Sequence, residues 1–433
     1  MKGLNSKSTI GIVGLGYVGF PLAKAFLSSG INVIGFDIDE SKTKMISRGV
    51  SPLSKLVDKN IKGAIQKKTF FVTSRFNEVK KCDSIIICVP TPLNNYHQPD
   101  LSYVQGSLKS IIKHISKDTL ICLESTTYPG TSREIVKPLI EAEGYKVGKD
   151  IFLGYSPERE DPGNKLYSIE NTPKVISGYS KKCLNMVKSV YSLICENVVP
   201  VSSLEAAELC KLIENIQRSV NIGLMNELRL FAEQADINLF EVIDAASTKP
   251  FGFTPYYPGP GVGGHCIPID PFYLTFKAKE YGVHTRFIEL AGEVNESMPD
   301  YVIRRVSQEL NNIKKCFSNS KILCVGLSYK KNIGDCRESP SMDIFNKLIK
   351  NGSTVDYHDP HVPVFPKMRK YNFKAKSIDL TKSKLSSYDI VLVNTLHDNI
   401  DVEFLYDNSE LIVDSSGSIR THIEDSHNKV VVI

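Results

Sequence analysis

The sequence predicts an α/β protein of two Rossmann-like doubly wound domains joined by a long central helix and a helical middle domain. Three observations carry the prediction. An apolar run, Thr9-Ile-Gly-Ile-Val13, passes directly into Gly14-Leu-Gly16-Tyr-Val-Gly19 and then into a helical pattern. A second apolar run of the same kind opens at Lys321-Ile-Leu-Cys-Val-Gly-Leu327, and between the two one amphipathic pattern runs unbroken from Ser203 to about Asp236. The domains drawn from these features are 1–200, 201–310 and 311–433. A chain of 433 residues, 42% hydrophobic and 23% charged, has ample core for that division.

In the first domain the glycine turn is followed by the helical pattern Pro21-Leu-Ala-Lys-Ala-Phe-Leu27, closed by Gly30, and by a strand Asn32-Val-Ile-Gly-Phe36 that ends in Asp37. Strand, glycines, helix, strand and acid in this order make a dinucleotide fingerprint. The pyrophosphate is expected on the N-terminus of a 17–29 helix, where free amides and the dipole favour anions. Gly14, Gly16, Tyr17, Val18 and Gly19 would form its cradle. Asp37 would accept from ribose hydroxyls and repel a 2′-phosphate, so NAD is expected rather than NADP. Asp39, Glu40 and Lys42 read as a solvated helix start, with Lys42 in reach of the adenosine ribose.

Further strands follow at Ser84-Ile-Ile-Ile-Cys-Val89, Thr119-Leu-Ile-Cys-Leu123 and Phe152-Leu-Gly-Tyr155. Strand ends of one doubly wound sheet face the same crevice, which puts Thr91 and Thr126 beside the cofactor and Glu158 at the same edge. Hydroxyls at such ends also cap helices, and Glu158 can pair with its neighbour Arg159.

The pattern from Ser203 spans on the order of 50 Å, longer than one small domain needs, so it is expected to bridge domains and to support a homodimer or higher homo-oligomer. Within it Lys211 and Asn215 are four apart and share a face. The competing reading is a solvated stripe with Glu208 and Glu214. Beyond it, Gly259-Pro-Gly-Val-Gly263-Gly-His-Cys266-Ile-Pro-Ile-Asp270 sets a thiol and a carboxylate four residues apart behind a loop with almost no side chains. Glycines let the backbone approach a ligand, so the loop reads as delivering Cys266, as a nucleophile, to something bound. The adjacent His265 raises a metal reading. The side chains should diverge on such a loop and no other Cys/His cluster is evident, so no metal is expected.

In the last domain Ser339-Pro340 starts a helix with serine as N-cap. Strands are read at Thr354–Tyr357, Asp389–Val393 and Leu411–Val413, without a second G-x-G-x-x-G. The loop from Tyr329 through Arg337 to Glu338 carries side chains suited to phosphate, or is simply a charged exposed loop. Residues 361–386 read as a polar connection. A net charge of +5, dispersed along the chain, does not point to nucleic acid, and no apolar run approaches the roughly 18 residues of a membrane span. The apolar N-terminus lacks a small-residue cleavage site before Asp37 and reads as strand and helix, not as a signal peptide. Ten cysteines without C-x-x-C spacing fit reduced thiols in the cytoplasm.

Taken in order, Gly14 through Gly19, Val89-Pro-Thr-Pro92, Glu124-Ser-Thr126, Ser156-Pro-Glu158, Lys211 with Asn215, Gly263-Gly-His-Cys266 with Asp270, and Tyr329 through Arg337 resemble the UDP-glucose and GDP-mannose dehydrogenase family from end to end. The stretches Thr248-Lys-Pro-Phe-Gly-Phe253 and Pro258 through Tyr273 look most like its UDP-N-acetylglucosamine 6-dehydrogenase branch. The resemblance implies oxidation of the C6 alcohol of a UDP-sugar to a carboxylate with two NAD and one water, for surface polysaccharide such as O-antigen. It implies that Cys266 carries a thiohemiacetal and then a thioester. Lys211, or a water held by Asp270, would act as base; Lys211 and Asn215 would steady the oxyanion; Glu158, Asp270 and Thr126 would direct the hydrolytic water. Glu158, Lys211, Asn215, Tyr257, Gly263, Tyr329 and Lys330 would contact substrate, and Arg337 would reach the cofactor.

Two departures from the family pattern stand out. Ser416 occupies the place of a usual substrate-contacting arginine, with Arg420 nearby, and Arg159-Glu-Asp-Pro-Gly163 follows the Pro-Glu motif where the UDP-glucose branch has Phe-Leu-Arg-Glu-Gly. The second departure argues against UDP-glucose. UDP-N-acetylgalactosamine, UDP-N-acetylmannosamine and UDP-glucose remain alternative substrates. A β-hydroxyacid dehydrogenase, which needs no cysteine, and an NAD-binding redox sensor without turnover are the other readings.

Overall fold

The structure, a computed structural model, describes residues 8–433 apart from 54, 95, 160–165 and 369, so most of the Arg159–Gly163 departure lies outside the described residues. The first sheet contains β1 (Thr9–Val13), β2 (Asn32–Phe36), β3 (Phe70–Thr73), β4 (Ser84–Ile87), β5 (Leu120–Leu123), β6 (Phe152–Tyr155), β7 (Lys174–Gly178) and β8 (Val198–Pro200). Their spatial order is β3-β2-β1-β4-β5-β6-β7-β8, and every neighbouring pair is parallel except β6 with β7. The second sheet contains β9 (Lys321–Val325), β10 (Thr354–His358), β11 (Ile390–Val393), β12 (Ile412–Asp414) and β13 (Val430–Val432), all parallel, in the order β10-β9-β11-β12-β13. Both orders reverse direction beside their first strand, and that switch point is where doubly wound sheets bind ligands.

A parallel sheet covered on both faces needs apolar residues on both, which is why these strands read as continuous apolar runs. Ile10 and Ile12 of β1 join Ile86, Leu120 and Cys122 on one face, while Val13 joins Ile85, Ile87, Ile121 and Leu123 on the other. The second sheet alternates in the same way, Ile322, Cys324, Ile390 and Leu392 against Leu323, Val325, Val391 and Val393. Each such side chain contributes roughly 1.5–3 kcal/mol when fully buried. Strands β3, β7, β8 and β13 are absent from the sequence reading, β8 and β13 being too short to carry a pattern.

The long helix runs Leu204–Gln234, with Ser203 Oγ accepting from Ala206 N at 3.1 Å as its cap. Helices Leu239–Ser247, Asp270–Glu280 and Arg286–Asn312 complete the helical middle region. The chain divides into two compact units: residues up to Glu214 with Phe272–Val283, and Asn215–Pro271 with His284–Ile433. In the second unit the long helix meets Arg286–Asn312 where a side chain on Gly223 would come within 3.1 Å of Ala291, so two small residues set their approach. No described helix is long and apolar enough to cross a membrane.

Three local expectations change. The helix after the glycine turn starts at Gly19, not at residue 17, because Tyr17 and Val18 are still part of the turn. Ser339 stands at an N-cap position, but its hydroxyl donates to Leu327 O at 2.7 Å and does not cap the Pro340–Lys350 helix. Residues 361–386 are more than a connection: Val362 and Phe365 are buried against Phe345 and Tyr357 in the core of the second sheet.

Candidate active site

The turn after β1 is shaped by contacts that only glycine tolerates. Gly14 has φ +93° and lies against the Cys88 carbonyl, and a side chain on Gly19 would collide with Gly14 O, locking helix to strand. At Gly16 a side chain would meet no protein atom within 4 Å. The space there is open, which suits close approach of a phosphate to the backbone. The Gly19–Ser28 helix receives no side-chain cap; Phe20 N donates to Gly16 O at 3.1 Å and Pro21 has no N–H, so it is the positive end of the helix dipole that favours an anion here. Asp37, buried at the end of β2, accepts from Leu15 N at 2.9 Å and from Lys42 Nζ at 2.7 Å. These residues fit a dinucleotide whose ribose meets Asp37, and Lys42 sits on that acid. Replacing Asp37 by serine removes the anion and frees the Lys42 ammonium; NADP turnover relative to NAD is expected to rise about tenfold or more, measured as the ratio of kcat/KM values. An unchanged ratio would show that Asp37 does not face the ribose.

Thr91 is buried beyond β4, where its carbonyl accepts from Tyr273 Oη at 2.6 Å. Ser125 Oγ donates to Val89 O at 2.7 Å and ties the ends of β4 and β5 together next to Thr126. Lys211 and Glu208 are buried, not part of a solvated stripe. The Lys211 ammonium donates to Glu158 O at 2.5 Å and lies 3.2 Å from Glu158 Oε2. Arg159 instead pairs with Glu214 and donates to Pro173 O at 2.7 Å. Glu208, one turn before Lys211, accepts from Gly130 N at 2.6 Å and Ser132 N at 2.8 Å, which anchors the far end of the loop that carries Thr126. Burial outweighs these bonds and pushes its carboxyl up to about 7. The sequence named Glu208 only within the competing solvated stripe, because helical spacing shows a face but not what covers it.

In the second unit, the glycine loop lies on Tyr329. A side chain at Gly263 would sit 2.6 Å from Tyr329 Cβ, and one at Gly264, φ +86°, 2.9 Å from the Tyr329 ring. Gly264 N also donates to Arg337 O at 2.9 Å. The loop that ends in Cys266 is thus fastened to the β9 loop that carries Tyr329, Lys330 and Arg337. Arg337 also forks onto Asp335, at 2.6 Å for its shortest contact. Cys266 is partly exposed, and its carbonyl accepts from Asp270 N at 2.8 Å at the start of the Asp270–Glu280 helix. Asp270 and Asn215 are both buried, with Asn215 Nδ2 donating to Asp270 Oδ2 at 2.5 Å. Burial pushes the His265 imidazole down, so it stays neutral near pH 7 and supplies no counter-charge for a thiolate.

The departure at Ser416 has a local account. Its hydroxyl donates to Asp414 Oδ1 at 2.9 Å within the turn after β12. Arg420 donates to Asp244 Oδ2 at 2.6 Å, Tyr257 Oη donates to Asp244 Oδ1 at 2.6 Å, and the Arg420 guanidinium stacks 4.8 Å from the Phe240 ring. An arginine therefore reaches the Tyr257 neighbourhood from a different position in the chain.

Asp359 and His397 also escape the sequence reading. Asp359, buried beyond β10, accepts from Leu327 N at 2.8 Å, just as Asp37 accepts from Leu15 N; the neighbouring His397, whose Nδ1 accepts from Asn332 N at 2.8 Å, helps hold the Asp359 carboxyl at about 2 despite burial. The second unit thus repeats the strand-turn-acid device of the first. An aspartate one position past its second strand was the available signal.

The chain matches the NAD-binding domain of the UDP-glucose/GDP-mannose dehydrogenase family over residues 8–195, its central domain over 205–297 and its UDP-binding domain over 323–420. It is 39% identical to Protein CapL of Staphylococcus aureus, over 81% of each chain. It is 35% identical to UDP-N-acetyl-D-glucosamine 6-dehydrogenase of Pseudomonas aeruginosa, over 84% of this chain and 85% of that one. Among solved structures it resembles the UDP-D-ManNAc dehydrogenase of Pyrococcus horikoshii, with a TM-score of 0.87, 29% identity and 98% of each chain covered.

Proposed function

The chain belongs to the UDP-glucose/GDP-mannose dehydrogenase family, and from that premise we propose that it oxidises the C6 hydroxyl of UDP-N-acetylglucosamine to the carboxylate through a covalent bond to Cys266. It is an NAD-dependent UDP-sugar dehydrogenase; the sugar and the covalent route are the proposal. The observation that carries it is Asn215 holding the Asp270 carboxylate one helical turn beyond a partly exposed cysteine, on a loop fastened to Tyr329. The resemblance of Thr248–Phe253 and Pro258–Tyr273 to the UDP-N-acetylglucosamine branch supports the choice of sugar.

NAD, held at Gly14 to Gly19 and Asp37, supplies the hydride acceptor for both oxidations. In the first, C6 loses a hydride and its hydroxyl a proton, taken by Lys211 in its neutral amine form, which becomes the ammonium, or by a water that Asp270 holds, and an aldehyde results. Cys266, its thiol proton released to solvent, then bonds through Sγ to C6 while the carbonyl π pair moves to oxygen, giving the oxyanion of a thiohemiacetal that keeps the reactive carbon attached. The ammonium of Lys211 and the amide of Asn215 steady that oxyanion. Removal of a second hydride leaves a thioester. Water, directed by Glu158, Asp270 and Thr126, adds to the carbonyl, the C–S bond breaks with its electron pair on sulfur, and the carboxylate departs.

The test offers purified protein each UDP-sugar separately and counts NADH by absorbance. Two NADH per UDP-N-acetylglucosamine, with little from the others, is expected. Two per UDP-N-acetylmannosamine instead, the sugar in the name of the Pyrococcus horikoshii neighbour, would move the substrate and keep the chemistry. One NADH, or none with any UDP-sugar, would remove the thioester route and return the β-hydroxyacid and sensor readings.

A further inference from the structure

Lys174 opens β7, is buried, and pairs with the buried carboxylate of Glu124 just beyond β5. Glu124 also accepts from Tyr191 Oη at 2.9 Å, and the Lys174 ammonium lies 5.2 Å from the centre of the Tyr191 ring. Taking two charges out of water costs several kcal/mol per ion before they are paired, so the pair is weak support for stability by itself. Its position suggests another use. β6 and β7 run antiparallel with Gly154 opposite Gly178 and Tyr155 opposite Ser177. Past the last paired residue the two chains stay together: Ser156 Oγ donates to Val175 O at 2.8 Å and Arg159 Nη1 to Pro173 O at 2.7 Å. The same register carried forward sets Glu158 opposite Lys174.

We infer that Lys174 and Glu124 are positioning residues for Glu158, with the Lys174 ammonium facing the carboxylate that also holds Lys211. The assignment of Glu158 to water activation rests on the proposed function; the placement of Lys174 beside it does not. The groups around Glu158 come from several elements. Lys211 faces it from the long helix and Lys174 from β7, with Glu124 behind Lys174 from the β5 end. Cys88 beyond β4 lies near both Lys174 and Glu158, whereas Cys122 of β5, Tyr191 of the Lys181–Tyr191 helix and Cys195 after it surround the Lys174–Glu124 pair, and Arg159, next to Glu158, pairs with Glu214. Lys174 and Glu158 interact through charge, which agrees with the register. Glu124 therefore moderates the effect of Lys174 on Glu158: without Glu124 the ammonium acts on Glu158 alone, and without Lys174 the carboxylate of Glu158 has a like charge behind it.

Opposite signs in two variants distinguish this role from a structural one. The first variant is Lys174→Met combined with Glu124→Gln, which removes both charges and keeps the shape, so that no unpaired buried ion threatens folding. The second is Glu124→Gln alone. The readout is the titration of the Glu158 carboxyl by carbon NMR in full-length protein, assigned by difference with Glu158→Gln, together with the acidic limb of kcat against pH. The double variant is expected to move both upward by about one pH unit, and Glu124→Gln to move both downward. Titrations of Glu158 that stay put, or move in the same direction, in two variants that fold as the wild type does would overturn the inference. Absence of NADH from every UDP-sugar would instead overturn the functional reading, and the NMR titration would still decide the placement of Lys174.

Discussion

Replacing Cys266 by alanine is expected to lower steady-state NADH formation by about a thousandfold or more, roughly 4 kcal/mol of barrier, and to cut the yield from two NADH per sugar to at most one. On the proposed route, without the thiol no bond holds the aldehyde and no thioester forms, so the second oxidation has no covalent substrate. Serine in the same place is a sharper variant. Its hydroxyl is a far weaker nucleophile at neutral pH and an ester a poorer acyl donor to water, so it should stall where cysteine turns over. Most of the other thiols are too buried to compete. Burial pushes Cys82, Cys122 and Cys336 up to about 12 and Cys195 up to about 11, and of the ten only Cys210, Cys266 and Cys316 are not buried. Counting NADH against sugar consumed, with Cys316→Ser as a control, checks the prediction. Two NADH per sugar at near wild-type rate from the alanine variant would mean a route without covalent attachment.

The second large effect concerns stability. Glu208 has a folded-state pKa of about 7 against an ordinary 4.5. Between those values the native state binds the proton that the unfolded chain releases. The stability it contributes is therefore complete below pH 4.5 and is lost as pH rises through 7, by about 3 kcal/mol at 1.36 kcal/mol per unit. Glutamine at this position cannot titrate. Denaturant unfolding at a series of pH values should show wild type losing about 3 kcal/mol relative to Glu208→Gln between pH 4.5 and 8, whatever the constant offset between them. Parallel profiles would show that Glu208 ionises normally and that its two backbone bonds, not burial, set its charge. The site has a functional side too, since the loop anchored by Glu208 at Gly130 and Ser132 carries Thr126.

Much of the fold was legible because buried parallel strands cannot hide: β1, β2, β4, β5 and β6 are apolar on both faces and sit where their runs appear in the chain. The glycine turn and Asp37 were legible for a similar reason, as a tight turn and an acid after the second strand restrict the residue types allowed. The Cys266 loop was legible only in part. Its glycines read as room for a ligand, yet at Gly263 and Gly264 the space is taken by Tyr329. At least part of the demand for glycine there comes from the protein's own second loop.

Charge partners were the least legible. Glu158 pairs with Lys211, fifty-three residues on, and not with adjacent Arg159, which finds Glu214. Lys174 and His397 gave no signal of their own, since nothing in local spacing distinguishes a buried side chain of these types from a surface one. By itself the sequence determined strands β1, β2, β4, β5, β6 and β9 to β12 and the dinucleotide turn with its acid, because backbone geometry and burial constrain residues close in the chain. The tertiary structure alone decided which charges meet and which carboxyls shift, because Coulomb and desolvation energies depend on distance and burial in space, and neither follows from separation along the chain.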